Sequence, residues 1–168
     1  AYHATGRPEE ALARYEEALP IMREVGDRAG EATTLNNMAG VYDATGRPEE
    51  ALARYEEVLP IRREVGDRAG EAATLNNMAG VYYATGRPAE ALALYEEALP
   101  IMRAVGDRPM EATTLWNMAT LLQQQERLPE AVEQVKAAIA LFHDGLTHDA
   151  AGNTVERYED YLKRLQEY

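Results

Sequence analysis

Residues 31–68 read EATTLNNMAGVYDATGRPEEALARYEEVLPIRREVGDR, and the same text recurs along the chain at a spacing of 40 residues. Residues 1–40 and 41–80 differ at five positions, and residues 41–80 and 81–120 differ at eleven. Beyond this the register continues weakly, so that Arg127 keeps the place of the earlier arginines. Near-identical units at this spacing are typical of repeat proteins, in which each unit buries its apolar face against its neighbours.

Each unit is predicted to form two helices. The first is expected at about residues 29–44, because its apolar side chains recur at spacings of three and four and so share one face. Gly46 is expected to end it, since glycine adopts the left-handed conformation at little cost. Pro48 suits the first turn of the second helix, where a missing N–H costs nothing. Gly66 is expected to end that second helix, and Asp67 to cap the next one.

A proline interrupts each predicted second helix, at Pro20, Pro60 and Pro100. An interior proline removes one backbone hydrogen bond and clashes with the preceding turn, at a cost of about 3 kcal/mol. Because Ile61 and Val65 keep the apolar period beyond the proline, the sequence predicts one kinked helix and not two. A kink that curves the helix around its neighbours is the favoured interpretation, and a functional hinge is the alternative.

The composition excludes several classes of site. The chain has 168 residues, no Cys, no Ser and a net charge of −12. Disulfide frameworks, zinc–thiolate sites and Cys or Ser nucleophiles are therefore excluded. The acidic balance argues against binding to nucleic acid or to an anionic membrane, and favours a basic or neutral partner. No metal or cofactor is predicted, because the loosely metal-like group His143, Asp144, His148 and Asp149 lacks a fixed ligand spacing and is better interpreted as a solvated loop.

The ends of the chain give weaker indications. No apolar run approaches the roughly 20 residues that span a bilayer, and Ala1-Tyr2-His3 does not begin a signal peptide, so a cytoplasmic location is predicted. Residues 1–5 read as the end of a truncated first helix, which predicts a fragment of a larger protein. At the other end, Asn153–Tyr168 combines one apolar face with one polar face, as expected of a helix that closes the last apolar surface of a repeat array.

The unit resembles the tetratricopeptide repeat (TPR), although it has 40 residues where the usual unit has about 34. Taking Ala32 as position one, the family's signature positions hold Leu35, Met38, Ala39, Tyr42, Gly46, Ala51, Tyr55 and Val58. The longer unit is similar to the TPRs of Pins-type adaptors, of kinesin light chains and of bacterial signalling proteins. Leucine replaces the frequent Trp at position four, and alanine replaces the usual Gly at position eight.

The resemblance implies an all-α fold, a right-handed TPR superhelix (α-solenoid) of about eight helices with a C-terminal capping helix. The expected organisation is a single array over residues 1–168. Its parts are a partial repeat at 1–28, repeats at 29–68 and 69–108, a degenerate repeat at 109–146 and the capping helix at 147–168.

In this family the first helices line a concave groove, and an Asn at position six of the unit binds the backbone of an extended peptide. The resemblance therefore implies a peptide-binding groove containing Asn37, Asn77, Asn117, Trp116, Tyr83, Asn76 and Asp43. Three alternatives stay open: the position-six asparagines serve only to tie neighbouring helices together, Asn36 and Asn76 belong to a solvated face, and Trp116 packs against Leu121 or the next repeat. Members that bind chaperone tails carry Lys or Arg at groove positions to hold a terminal carboxylate, and this groove has none there.

The leading hypothesis is a protein–protein interaction module that binds an extended peptide or a helix, within a larger bacterial signalling or regulatory protein. The alternative is a structural spacer or self-association segment that stacks end to end through the apolar side of the helix at Arg7–Val25. An enzyme is not expected, because the chain has no Gly-rich phosphate loop. The adjacent pairs such as Glu16-Glu17 point about 100° apart on a helix and cannot act together.

Overall fold

The computed structural model describes residues 7–145, 148–149 and 152–167. Within them the secondary structure consists of eight α-helices and one isolated β-bridge between His148 and Thr154. The helices are α1 (Pro8–Val25), α2 (Arg28–Ala44), α3 (Pro48–Glu64), α4 (Arg68–Ala84), α5 (Pro88–Val105), α6 (Arg108–Gln124), α7 (Leu128–His143) and α8 (Val155–Gln166). The predicted all-α helical-repeat class is confirmed. The prediction for residues 1–5 lies outside the described residues.

The helices begin and end at capping residues that recur in each repeat. Asp27, Asp67 and Asp107 are the N-caps of α2, α4 and α6, and the Asp67 carboxylate accepts a hydrogen bond from the Gly70 N–H at 2.8 Å. This bond satisfies one of the backbone donors that a helix N-terminus leaves open. Gly46 follows α2 with φ of +73°, as expected of a C-terminal stop. The predicted limits of both helices of the unit are therefore confirmed to within two residues.

The interior prolines do not divide their helices. The helices α1, α3 and α5 each continue through their proline, which is exposed in all three. This confirms the prediction of one helix at that place. The exposed position is favourable, because the carbonyl that loses its N–H partner can bind water instead.

The described part of the chain forms two compact units, and the first comprises residues 1–94. In it α2 packs against α1 and α3, and α3 packs against α4. The core consists of small and medium side chains, and Leu35, Ala39, Ala51 and Val58 have no exposed surface. The small side chains of Ala39 and Ala51 let neighbouring helices approach closely. This close packing compensates for the shortage of phenylalanine in the chain.

The second unit comprises residues 95–168 and contains an aromatic cluster. In it α6 packs against α7, and α7 packs against α8. Tyr158 of α8 is fully buried, with its ring centroid 4.6 Å from that of Trp116 and 5.0 Å from that of Phe142. The amphipathic C-terminal helix thus covers apolar side chains of α6 and α7, as a capping helix is expected to do.

Buried glutamates lie at the turns between the second helix of one repeat and the first helix of the next. Glu31 is 3% exposed and accepts hydrogen bonds from Nε of Arg23 at 2.7 Å and from Arg28. Glu71 has the same exposure and pairs in the same way with Arg63 and Arg68. A buried carboxylate is tolerated only when it is paired and hydrogen-bonded, and two guanidinium groups meet this requirement.

The third copy of this arrangement departs from the pattern. Glu111 pairs with Arg103 at 2.7 Å, whereas Arg108 donates to the backbone carbonyls of Leu141 and Asp144. Arg108 also forms an ion pair with the Asp144 carboxylate at 3.2 Å. Arg28 and Arg68 bind the buried glutamate of their own turn in the first unit. Arg108, at the same place in the repeat, instead binds the end of α7 in the second unit.

Candidate functional site

Within the first unit, α1 to α4 surround a pocket of about 230 Å³. Leu35 and Met38 of α2 point into the core, so the intervening Asn36 and Asn37 face outward. The pocket is lined by these two amides together with Tyr15, Gly40, Tyr55 and Asn77. The helical register of the sequence TLNNMAG thus places a polar strip immediately above the buried stripe.

Tyr55 forms the base of this pocket. It is 4% exposed and shares a side-chain hydrogen bond with Asn77. Burial, with a further contribution from the nearby Asp43 carboxylate, raises the pKa of Tyr55 to about 12. The phenol therefore stays protonated at neutral pH and can act as a neutral hydrogen-bonding group.

The α2 amides have no partner inside the described residues. In residues 7–145, 148–149 and 152–167, the side chains of Asn36 and Asn37 form no hydrogen bond. Asn37 is exposed and Asn36 is half-buried. Gly40 adds open space beside them, because a Cβ built there would meet no atom within 4 Å. Donors and acceptors of both amides are thus available at the pocket wall.

The other residues predicted for the groove in the first unit are not among the lining residues of this pocket. Asp43 is exposed and acts on Tyr55 through its charge. Asn76 is half-buried, and Tyr83 is 42% exposed. Of the predicted set, this pocket therefore brings Asn37 and Asn77 together, and it adds Tyr15 and Tyr55, which were not predicted to line the groove.

In the second unit, Trp116 is half-buried beneath α8. Its ring centroid lies 4.6 Å from those of both Tyr158 and Tyr161. Asn117, next to it on α6, is also half-buried. Trp116 therefore packs against aromatic side chains of α8, and it also lines a second pocket of about 260 Å³.

The second pocket contains residues that the sequence did not single out. Besides Trp116 it is lined by Arg157, Asp160, Tyr161 and Arg164 of α8. In the sequence Arg157 and Arg164 belong to the polar face of the terminal helix, where a solvated role is the ordinary interpretation. Their i, i+4, i+7 spacing with Tyr161 was the available signal that the three share one helix face.

The loosely metal-like group His143, Asp144, His148 and Asp149 was interpreted as a solvated loop. This interpretation is wrong for Asp149, which can be buried because its carboxylate is hydrogen-bonded within the fold. His143 and Asp144 are exposed, whereas Asp149 is 2% exposed. Asp149 accepts hydrogen bonds from the backbone N–H of Asn153 at 2.9 Å, from the Asn153 amide and from the Tyr158 hydroxyl. Among the described residues, no three His, Asp or Glu side chains are grouped so that they could hold a metal ion.

Solved structures with the same fold come from several functional contexts. BtubC (BKLC) from P. vanneervenii matches with a TM-score of 0.78 and 20% identity, over 98% of this chain and 75% of that one. A Podosopora anserina kinesin light chain with nearly identical TPR-like repeats matches with a TM-score of 0.77 and 21% identity, over 99% and 81%. The apo form of RapI matches with a TM-score of 0.84 and 16% identity, over 98% and 60%. At these identities the likeness establishes the fold.

The sequence itself matches a family model. The tetratricopeptide repeat model covers residues 1–64 and 70–143, which is most of the chain. No curated protein sequence matches. None of the helices in the described ranges is long and apolar enough to cross a lipid bilayer. The repeated helix pairs, the signature positions and the family match agree, and the chain belongs to the tetratricopeptide repeat family.

Proposed function

We propose that the chain is a protein–protein interaction module that binds an extended peptide against α2 and α4, in the pocket of the first unit. The family commonly serves in protein–protein interaction, and its members are typically non-catalytic scaffolds. The observation that carries the proposal is the pair of unengaged amides at Asn36 and Asn37, beside the protonated Tyr55. Amides that make no side-chain hydrogen bond within the described residues suit an external partner.

The chemistry of the strip matches a peptide backbone. An extended peptide presents unpaired N–H and C=O groups, and a carboxamide offers donors and acceptors to both. The open space at Gly40 lets a backbone approach α2 closely. Main-chain recognition of this kind gives affinity, and the adjoining pockets then select side chains.

The charge of the first unit favours a basic or neutral peptide. Residues 1–94 contain sixteen Asp and Glu against ten Arg. The resulting negative field attracts cationic segments over distances of about one Debye length, roughly 8 Å at physiological salt. We therefore expect this pocket to bind a peptide that contains Lys or Arg more tightly than an acidic peptide.

The test is selection of peptides from a random display library on the immobilised chain, followed by titration of an enriched peptide. Asn36→Ala combined with Asn37→Ala is expected to weaken its binding about thirtyfold, because two hydrogen bonds of about 1 kcal/mol each are lost. The melting temperature is expected to stay unchanged, since neither amide has a hydrogen-bond partner among the described residues. Gln166→Ala removes an exposed amide on α8 and is the matched control. Equal binding to the parent and the double variant would contradict the proposal.

A second candidate function is self-association through α1. Ile21 and Val25 are 60% and 70% exposed, whereas Ile61 and Ile101, which hold the place of Ile21 in the later repeats, are 4% and 6% exposed. Ile21 is thus exposed where its copies are buried, and Val25 beside it is more exposed than its own copies Val65 and Val105, at 42% and 41%. Neighbouring exposed apolar side chains of this kind form a candidate contact surface.

Sedimentation equilibrium over a range of protein concentrations separates this function from peptide binding. We expect an average mass that rises with concentration, and a monomer when Ile21→Gln is combined with Val25→Gln. Substitution of Val65, the C-cap residue of α3, which is 42% exposed, by Gln is the control and should leave the association intact. A parent chain that is monomeric at every concentration would refute self-association and leave the peptide pocket unaffected.

A further inference from the structure

We propose that the second unit contains a carboxylate-binding pocket that takes an Asp or Glu side chain of an acidic peptide. It is the pocket formed by Trp116 of α6 with Arg157, Asp160, Tyr161 and Arg164 of α8, called the Trp116 pocket below. It goes beyond the proposed function, because it lies in residues 95–168 and prefers a ligand of opposite charge.

The Trp116 pocket is built on a fixed aromatic base. The rings of Trp116 and Tyr161 lie 4.6 Å apart, and the Tyr161 hydroxyl donates a hydrogen bond to the Gln123 amide oxygen of α6. These contacts hold Tyr161 in place beside Trp116. Arg157 and Arg164 precede and follow Tyr161 by about one helical turn each, so both guanidinium groups reach the same opening of about 260 Å³.

The two arginines of the pocket differ from all the others in their pairing. The chain has fifteen arginines, and thirteen of them form ion pairs with Asp or Glu. Within the described residues, Arg157 and Arg164 form no ion pair, although the chain has a net charge of −12. Asp160 lies between them on α8, but it pairs with Lys163 at 3.6 Å. Both guanidinium groups are therefore available to an anion.

The charge of the pocket suits an anionic group, because two guanidinium groups line it and the Asp160 carboxylate is paired with Lys163. A side-chain carboxylate and a free phosphate both meet this requirement of charge, and the aromatic wall favours the ligand that also has an apolar stem. The planar guanidinium binds a carboxylate through two parallel hydrogen bonds, and the faces of Trp116 and Tyr161 cover the apolar stem of the ligand side chain.

The position of Trp116 supplies the measurement. It is the one tryptophan of the chain, so its fluorescence reports on this pocket alone. A short acetylated and amidated peptide of alternating Glu and Leu is titrated into the full chain, beside the same peptide with Gln in place of Glu. We expect a saturable fluorescence change with the Glu peptide, weakened by added salt, and affinity lower by about tenfold or more for the Gln peptide, since hydrogen bonds between charged partners are the stronger ones.

Two charge-matched variants complete the test. Arg157→Gln combined with Arg164→Gln is expected to abolish the preference for the Glu peptide while circular dichroism stays unchanged, because both side chains are exposed. Arg7→Gln combined with Arg14→Gln removes the same charge from two exposed residues, the N-cap of α1 and a position within it, and should keep the preference. Equal binding of the Glu and Gln peptides, equal loss in the two double variants, or tighter binding of inorganic phosphate than of the Glu peptide would each overturn the proposal.

Discussion

The Tyr158→Ala chain is expected to unfold with about 4 kcal/mol less free energy than the parent, and to release α8 first. Tyr158 has no exposed surface, and its ring fills the space between Trp116 and Phe142. Truncation of a buried aromatic ring to alanine typically costs about 3–5 kcal/mol, because the surroundings relax only partly into the cavity. It also removes the hydroxyl that donates to the buried Asp149 carboxylate. Denaturant titration followed by circular dichroism and by Trp116 fluorescence measures both effects.

Tyr158→Phe separates the ring from its hydroxyl. Burial, together with the Asp149 carboxylate, raises the pKa of Tyr158, so the hydroxyl stays a donor at neutral pH. Loss of this donor alone is expected to cost about 1–3 kcal/mol, since Asp149 keeps its two Asn153 donors. Tyr83→Ala removes a tyrosine that is 42% exposed and should cost less than either change. A Tyr158→Ala chain as stable as the Tyr83→Ala chain would refute the role given to the aromatic cluster.

Glu31→Gln is expected to lower the free energy of unfolding by about 2 kcal/mol at neutral pH. The buried carboxylate holds Arg23 and Arg28 together, and an amide cannot accept both charge-assisted hydrogen bonds. Breaking a buried ion pair typically costs about 3–5 kcal/mol, but here the arginines are half exposed and regain water. Glu16→Gln, at an exposed position on α1, is the control and should change stability by less than about 0.5 kcal/mol.

The pH dependence of the stability difference between the parent and Glu31→Gln tests whether the negative charge of Glu31 is its cause. Burial alone raises the pKa of Glu31, but the hydrogen bonds from Arg23 and Arg28 outweigh it and hold that pKa below its ordinary value of 4.5. A carboxylate whose pKa is lower in the folded state contributes stability above its ordinary pKa, and this contribution is lost as pH falls through the folded value. The stability difference between the parent and Glu31→Gln should therefore be constant above about pH 5 and shrink below pH 4.5. A difference that does not change with pH would contradict the assignment.

The helices could be predicted from the sequence because the residues that begin and end a helix lie at its boundary and recur in the successive copies. Proline, glycine and the capping aspartate recur at the same places, so the copies corroborate one another. The degenerate repeat shows the limit of this reasoning. Glu126 takes the place of Gly46 in the register and adopts φ of +59°, a conformation that glutamate rarely tolerates. There the fold of the neighbouring helices, and not the local residue, determines the turn.

The two pockets differ in how far the sequence could predict them. Asn37 and Asn77 follow from the helical register, because the buried stripe fixes which residues face away from it. The Trp116 pocket does not follow, because it depends on how α8 lies across α6, and α8 has no copy in the repeats for comparison. That Arg157 and Arg164 form no ion pair with any described residue likewise emerges only from the folded arrangement of the other charged side chains.

The buried glutamate junction also bears on how such an array can grow. Arg23, Arg28 and Glu31 come from one short stretch around a turn, and the same three residue types recur at Arg63, Arg68 and Glu71. A duplicated segment of 40 residues that contains this stretch therefore carries the buried carboxylate together with arginines that can pair with it. Gene duplication can thus lengthen the array while supplying a local partner for each buried glutamate.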